Sequence, residues 1–219
     1  MAAQDTIDHN VIHPKPLLRG WMHLAWCELS LVVGTLFVVQ ALGRDRVGAV
    51  IYAAALSGLF GASALYHRGR WRPRVHALLQ RVDHAMIFVL IAGTATPIFL
   101  ATVQRPISIL LLVLMWTSAG VALVSHLVWM KAPEWLIGGI YIGLGLLAGV
   151  ALPAVWVHTG VIGVGLLVAG GLLYIAGALI YHRRQPDPWP TIFGFHEVFH
   201  GFVCAAATLQ FVAIAYFVL

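Results

Sequence analysis

The chain has 219 residues, of which 61% are apolar and only 10% are charged, and its formal net charge is +5. A soluble domain of this size carries about 25% charged residues, so the composition excludes a domain that covers itself with a hydrated surface. Lipid requires every backbone polar group to be paired internally, which leaves helices and closed barrels as spanning elements. The apolar runs are continuous and about twenty residues long, without the period-two alternation of barrel strands, and they predict helices.

Seven apolar segments of membrane-spanning length follow one another along the chain, separated by breaks that carry the charges and prolines. The predicted spans are 21–42, 47–66, 83–103, 107–129, 135–156, 160–181 and 194–218. The break near His158 is the weakest, but a single span over 135–181 would be far longer than any bilayer is thick. We predict an all-α, seven-helix transmembrane bundle as one domain over 21–219, preceded by an N-terminal arm over 1–20.

Lysine and arginine are divided unevenly between the two sides of this arrangement. Ten lie in the N-terminal arm and the second, fourth and sixth loops, and three lie in the first and third loops. The positive-inside rule therefore predicts a multi-pass protein of the plasma (inner) membrane, with its N-terminus in the cytoplasm and its C-terminus outside. Its expected partners are membrane lipids, and no nucleic-acid partner is expected.

Ionisable side chains inside membrane spans are costly and usually mark function. His67 ends the second predicted span, Asp83 opens the third, and His196 and His200 lie in the first turns of the seventh. With the predicted topology, these four side chains from three separate segments lie at one depth, on the cytoplasmic side.

The spacing of the histidines indicates a metal site. His196 and His200 are four residues apart, so both imidazoles lie on one face of a helix and can share one ion. His67 can supply a third nitrogen and leave a fourth position for water, which is a common arrangement for catalytic zinc. Neutral imidazole also suits iron, copper and nickel.

Other polar residues and glycines are interpreted as structural. Glu28, about seven residues into the first span, is expected to be a buried hydrogen-bonding partner of another helix, with a site residue as the alternative. Glycines spaced four apart in the fifth span are expected to let helices pack closely inside the monomer, with a dimer face as the alternative. These glycines are Gly139, Gly143, Gly145 and Gly149. Five further histidines are expected to be isolated residues near the membrane interface, namely His23, His76, His126, His158 and His182.

The segment from His196 to His200 also fits H-E-x-x-H, the zinc-protease pattern in which the glutamate, here Glu197, is the general base. Intramembrane proteases of this kind would add an aspartate in a distant Asn-Pro-Asp-Gly-like segment, and the chain has none. Asp187 precedes the histidines in a loop. A protease is therefore a minor alternative.

Three segments together resemble a known family. Ser63-Ala64-Leu65-Tyr66-His67 resembles an S-x-x-x-H signature, residues 83–97 resemble DHxxIFxxIAGTYTP, and residues 193–200 resemble FGxHExFH. In this order and spacing they are similar to the bacterial hemolysin III family, relatives of the adiponectin and progestin receptors in a superfamily that includes alkaline ceramidases. The resemblance covers nearly the whole chain. Ala95 departs from the pattern, because the family usually has tyrosine there.

The resemblance implies a seven-helix bundle with one zinc ion near the cytoplasmic side. It implies that His67, His196 and His200 are the zinc ligands, that Asp83 holds the zinc-bound water and that Ser63 lines the site.

These residues suggest a zinc-dependent hydrolase of a lipid amide or ester, with a role in membrane homeostasis, although whether the chain is an enzyme stays open. Asp83, or Glu197 if it turns inward, would be the general base, and Ser63 would bind the oxyanion or orient a ligand. One alternative is a non-enzymatic receptor-like or regulatory protein with structural zinc. The other is a pore-forming cytolysin, which is less favoured because the polar residues cluster at one end instead of following a continuous path.

Overall fold

A computed structural model describes residues 15–129 and 133–219 of the chain. Within these residues the protein consists of seven α-helices and has no β-strand beyond an isolated bridge between Trp189 and Phe193. The helices are Trp21–Gln40 (α1), Asp45–Arg68 (α2), Pro73–Thr102 (α3), Ile107–Val128 (α4), Glu134–Gly149 (α5), Leu152–Arg183 (α6) and Phe195–Ala213 (α7). A π-helical turn, Ile214–Val218, continues α7.

Six of these helices are long and apolar enough to cross a membrane, judged by length and composition. The exception in the described residues is α5, whose 16 residues extend only about 24 Å at 1.5 Å per residue, against a hydrocarbon core of about 30 Å. The helices follow the order of the seven predicted spans, so the prediction of an all-α, polytopic membrane protein is confirmed. The side of the membrane on which each terminus lies stays a prediction from the charge distribution.

Three boundaries differ from the predicted spans, including the start of α6 at Leu152 instead of 160. Helix α3 begins at Pro73, well before the predicted start at 83, because a helix can extend beyond the apolar segment that spans the bilayer. Helix α5 ends at Gly149, so the predicted fifth span over 135–156 is wrong at its end. Pro153 lies in the first turn of α6, where its missing N–H is tolerated, whereas it could not lie inside a longer α5.

The predicted break near His158 is only a kink inside α6. It occurs at Gly160, whose φ of 67° lies in the left-handed region that glycine adopts most easily.

Two glycines allow close packing between α2 and α3. A Cβ atom on Gly93 would lie 2.5 Å from the Cβ of Ala55, and one on Gly48 would lie 2.9 Å from the Cα of Pro97. Both glycines therefore let the two backbones approach closely. Helix α7 packs extensively on α6 and also contacts α1, so the bundle closes with the first and last helices adjacent.

The glycines of α5 do not pack as predicted. Cβ atoms on Gly139, Gly143 and Gly145 would meet nothing within 4 Å, and one on Gly149 would meet only the neighbouring Leu152 side chain at 3.9 Å. The expectation that these glycines pack helices together inside the monomer is therefore wrong for the described residues. Glycine spacing shows that a close approach is possible, but it does not show which way the helix is rotated about its axis.

We predict that Gly93→Ala lowers the thermal stability of the bundle by the equivalent of about 1–3 kcal/mol, because the added methyl group overpacks the α2–α3 contact. The matched control is Gly120→Ala on α4, where an added Cβ meets nothing within 4 Å. Thermal unfolding of both variants in detergent measures the difference. Equal melting temperatures for the two variants would contradict the close α2–α3 contact.

Candidate metal centre

Three histidines from two helices meet at one end of the bundle. One ring nitrogen of each of His67, His196 and His200 lies within 4.8 Å of the other two. The Nε2 atoms of His67 and His196 are 3.2 Å apart. Two nitrogens bound to one zinc ion at about 2.0–2.1 Å in tetrahedral geometry would be about 3.3 Å apart, so this pair is spaced as two ligands of one ion would be.

Helix position brings the three imidazoles together. His67 lies in the last turn of α2, and His196 and His200 lie one turn apart in the first turns of α7. Gly20 allows the close packing around His67. Its φ is 79°, and a Cβ atom at this position would lie only 2.8 Å from the Cβ of His67. The chain therefore crosses directly over the end of α2 before α1 begins.

Asp83 and Ser63 lie beside the histidines. An oxygen of Asp83, Oδ2, is 3.7 Å from Nε2 of His67. Ser63, one helical turn before His67, is buried and donates a hydrogen bond to the Asp83 carboxylate. The structure therefore brings together all of the predicted ligands with two of the three predicted catalytic residues.

The donor set fits a divalent metal ion such as zinc. Three imidazole nitrogens form a closely spaced group, and a carboxylate stands next to it without being one of the three. Nδ1 of His200 is buried and makes no hydrogen bond in the described part of the chain. Three imidazoles with a neighbouring carboxylate are typical of zinc sites, although imidazole also binds other transition metals.

Glu197, the third predicted catalytic residue, has a different environment. Its side chain is fully buried, and its Oε1 accepts a hydrogen bond in an ion pair with Arg19. Its Oε2 accepts a 2.8 Å hydrogen bond from the backbone N–H of Gly194, which caps the start of α7. Both oxygens already have partners, so the geometry favours a structural role. The hypothesis that Glu197 turns inward as a base is not supported by this arrangement.

The N-terminal arm is attached to the loop before α7. The backbone N–H groups of Leu17 and Leu18 donate hydrogen bonds of 3.0 and 3.1 Å to the carbonyl oxygens of Thr191 and Ile192. Together with the Arg19–Glu197 ion pair, these bonds hold the described part of the arm, residues 15–20, next to the histidines. The arm therefore forms one wall of the site.

Basic side chains surround the arm. The Arg68 guanidinium lies 3.5 Å from the centre of the Trp21 ring, which is a cation–π contact. Burial, and then the nearby positive charges of Arg19, Arg68 and Arg70, lower the pKa of Lys15 below its usual value. The edge of the site is therefore strongly positive, which suits an anionic molecule.

His23 belongs to the site, although the sequence analysis treated it as isolated. It is buried on α1, and its ring stacks on that of His200 with centroids 3.7 Å apart and an interplanar angle of 13°. The signal that could have identified it is its depth, because it lies in the first turn of a span that starts on the same side as the other histidines. By contrast, His84 lies against His126 with ring centroids 5.4 Å apart and is outside the ligand group.

Glu28 is also placed differently from the expectation. Its side chain is exposed on the surface of α1, and it makes no hydrogen bond or ion pair among the described residues. The interpretation of Glu28 as a buried hydrogen-bonding partner of another helix is therefore wrong. The apolar pattern around Glu28 gave no indication of which face of α1 points outward.

The chain is similar to known proteins over most of its length. Residues 12–211 match the family model described as haemolysin-III related. The chain is 28% identical to Hemolysin-3 of Bacillus cereus over 195 residues, which cover 87% of this chain and 86% of the relative. It is 28% identical to the Hemolysin-3 homolog of Bacillus subtilis (strain 168), over 79% of this chain and 78% of the relative.

A plant protein is similar over a shorter segment. The chain is 35% identical to the heptahelical transmembrane protein ADIPOR2 of Oryza sativa subsp. japonica over 85 residues, which cover 34% of this chain and 37% of the relative. This match supports the relationship to adiponectin receptors that the motifs suggested.

We predict that Glu197→Gln destabilises the folded protein by an amount near the lower end of about 3–5 kcal/mol, because it leaves the partly buried Arg19 charge without its counter-charge. Glu28→Gln makes the same chemical change at an exposed position and is expected to leave the melting temperature unchanged or raise it. Thermal unfolding in detergent compares the two. A Glu197→Gln variant with normal stability would show that the ion pair does not hold the arm.

Proposed function

The chain belongs to the haemolysin-III-related family, and from this premise we propose that it is an integral-membrane zinc hydrolase that cleaves an amide or ester bond of a membrane lipid. In bacteria such a multi-pass protein lies in the plasma membrane. The observation that carries the proposal is the meeting of three imidazoles with a carboxylate and a hydroxyl at one end of an otherwise apolar bundle.

His67, His196 and His200 would hold the ion. Zinc, when bound, acts as a Lewis acid and makes hydroxide available at neutral pH by lowering the pKa of water from 15.7 to about 7. Asp83 is the residue best placed to take up a proton, because its Oδ2 stands 3.7 Å from Nε2 of His67 and Glu197 is engaged elsewhere. The hydrogen bond from Ser63 orients the Asp83 carboxylate.

The surroundings of the site favour a lipid with an anionic headgroup as the substrate. The site lies at the ends of α2 and α7, where a lipid headgroup would be found. Lys15, Arg68 and Arg70 would attract a negative headgroup, with about 1 kcal/mol for each charge near the membrane surface. The acyl chain of such a lipid would remain in the bilayer while the headgroup region reaches the histidines.

A receptor-like or regulatory protein with structural zinc is the second candidate, and it is favoured by the similarity to the plant protein named ADIPOR2. A pore-forming cytolysin is suggested by the name Hemolysin-3 of the Bacillus cereus relative. The packing opposes a pore through the monomer, because the interior of the described bundle is filled by large buried side chains. These include Phe60, Phe88, Phe99 and Met115.

We predict that the purified protein holds about one zinc ion per chain and hydrolyses an acyl lipid, and that His196→Ala loses both properties. The loss of zinc affinity should exceed the roughly 10–100-fold effect typical of residues that only support a metal ligand. Metal analysis and a lipid-release assay measure the two properties, with His126→Phe as a control outside the ligand group. Full turnover by chelator-treated, zinc-free protein would exclude the proposed chemistry.

We predict that Asp83→Asn keeps about one zinc ion per chain but reduces lipid turnover by about 10²–10⁴-fold, because an amide of the same shape cannot take up the proton. The comparison of zinc content with turnover separates the hydrolase from a protein with purely structural zinc. If turnover is unchanged, Asp83 is not the base. If the variant loses zinc as well as turnover, Asp83 contributes to binding the ion, and its assignment as the general base is wrong.

A further inference from the structure

His23 occupies an unusual position for a histidine on a membrane helix. Only 3% of its surface is exposed, and two aromatic rings lie against it. Its ring stacks nearly parallel on the ring of His200, with the ring centroids 3.7 Å apart. The Phe60 ring makes a T-shaped contact with the His23 ring, with the centroids 5.1 Å apart. His23 thus lies directly against a residue proposed to bind the metal.

The stacked pair contains three buried nitrogens that lack hydrogen bonds. Both ring nitrogens of His23 and Nδ1 of His200 lack a well-formed hydrogen bond in the described part of the chain, although the backbone of His200 lies near the His23 ring. Buried polar atoms in folded proteins are almost always paired, with protein groups or with ordered water. Three such atoms in two adjacent rings therefore indicate a polar molecule at the edge of the pair. A buried water molecule has the small size and the 2–4 hydrogen bonds that this position offers.

His200 needs an orienting contact that the rest of the described chain does not provide. A histidine that binds a metal nearly always donates its other ring N–H to a carboxylate, a carbonyl or a water, which sets its tautomer and ring orientation. If His200 binds the ion through Nε2, the nitrogen left to be oriented is Nδ1, which has no protein partner among the described residues. The two rings are almost parallel, with centroids 3.7 Å apart, so one oxygen placed at a shared edge would be within reach of both rings.

We propose that His23 is a positioning residue of the metal centre, which holds the face of His200 and binds, together with Nδ1 of His200, a buried water that orients this ligand. This inference rests on the proposed metal site. A purely steric role would not need an imidazole. Phenylalanine is also flat and aromatic, would keep the stacking on His200 and would bury no unpaired nitrogen.

Cobalt(II) in place of zinc is a suitable probe, because its visible spectrum reports ligand geometry independently of turnover. Four variants of the full chain in detergent would be compared with the unmodified protein. His23→Phe keeps an aromatic ring but removes the ring nitrogens. His23→Met removes the ring and its nitrogens, and it replaces His23→Phe in the comparison if that variant does not fold. His23→Gln restores hydrogen-bonding groups without the ring. His126→Phe is the matched control, because it makes the same change at a histidine that packs against Phe88 outside the ligand group.

We expect His23→Phe and His23→Met to bind cobalt about 10–100-fold more weakly than the unmodified protein, with an altered visible spectrum. His23→Gln should lie closer to the unmodified protein, and His126→Phe should match it. In the metal-free state, His23→Phe should melt no lower than the unmodified protein, because it removes unpaired nitrogens from the interior. A role in packing alone would instead lower the metal-free melting temperature.

Three results would overturn the inference. The first is a normal cobalt affinity and spectrum in His23→Phe, or in His23→Met if only that variant folds. The second is a His23→Gln variant that binds cobalt no better than His23→Phe and His23→Met do. The third is a loss of metal-free thermal stability that parallels the loss of cobalt affinity. Failure of the unmodified protein to bind cobalt at His67, His196 and His200 would instead contradict the proposed function, and the role of His23 would fall with it.

Discussion

The structure depends on a single requirement, which is that polar side chains placed among apolar helices must find partners there. Lipid offers no hydrogen bonds, so a buried imidazole or carboxylate is tolerated only when another part of the chain or a bound group satisfies it. The imidazoles of His67, His196 and His200 meet within 4.8 Å, as a shared cation would require. A metal ion held there would cross-link α2 to α7, two helices that are far apart in the sequence.

Several local features hold the three histidines close together. Gly20 lets the arm pass directly over His67, since a side chain there would collide with the ligand. The Arg19–Glu197 ion pair attaches the arm to α7, and the same carboxylate caps the helix that carries two of the ligands. Glu197 therefore has two structural roles, and its place inside an H-E-x-x-H pattern does not make it a base. A sequence pattern identifies residue types, whereas the role of each residue depends on what it touches.

The two parts of the bundle are packed differently. Helices α1, α2, α3 and α7 carry the site residues, and the close contacts at Gly48 and Gly93 hold α2 and α3 together. Helices α4 and α5 contact each other less, and a surface cavity of about 300 Å³ lies between them, lined partly by Thr117, Ser118 and Ser125. Precise chemistry requires ligands on rigid elements, so it is consistent that the densely packed helices hold the histidines.

The sequence by itself determined the fold class, the order of the helices and the common depth of His67, His196, His200 and Asp83, whereas Ser63 followed only from the resemblance to a known family. The physical reason is that a bilayer sets the length of each apolar segment, and charge marks the ends of the segments, so the depth of every residue follows from counting along the chain. Only the tertiary structure decided the partners of Glu197, the exposure of Glu28, the open surroundings of the α5 glycines and the stacking of His23 on His200. These features depend on how each helix is rotated about its axis. A helix that is apolar on all sides, facing lipid on one side and protein on the other, carries no pattern that reveals that rotation.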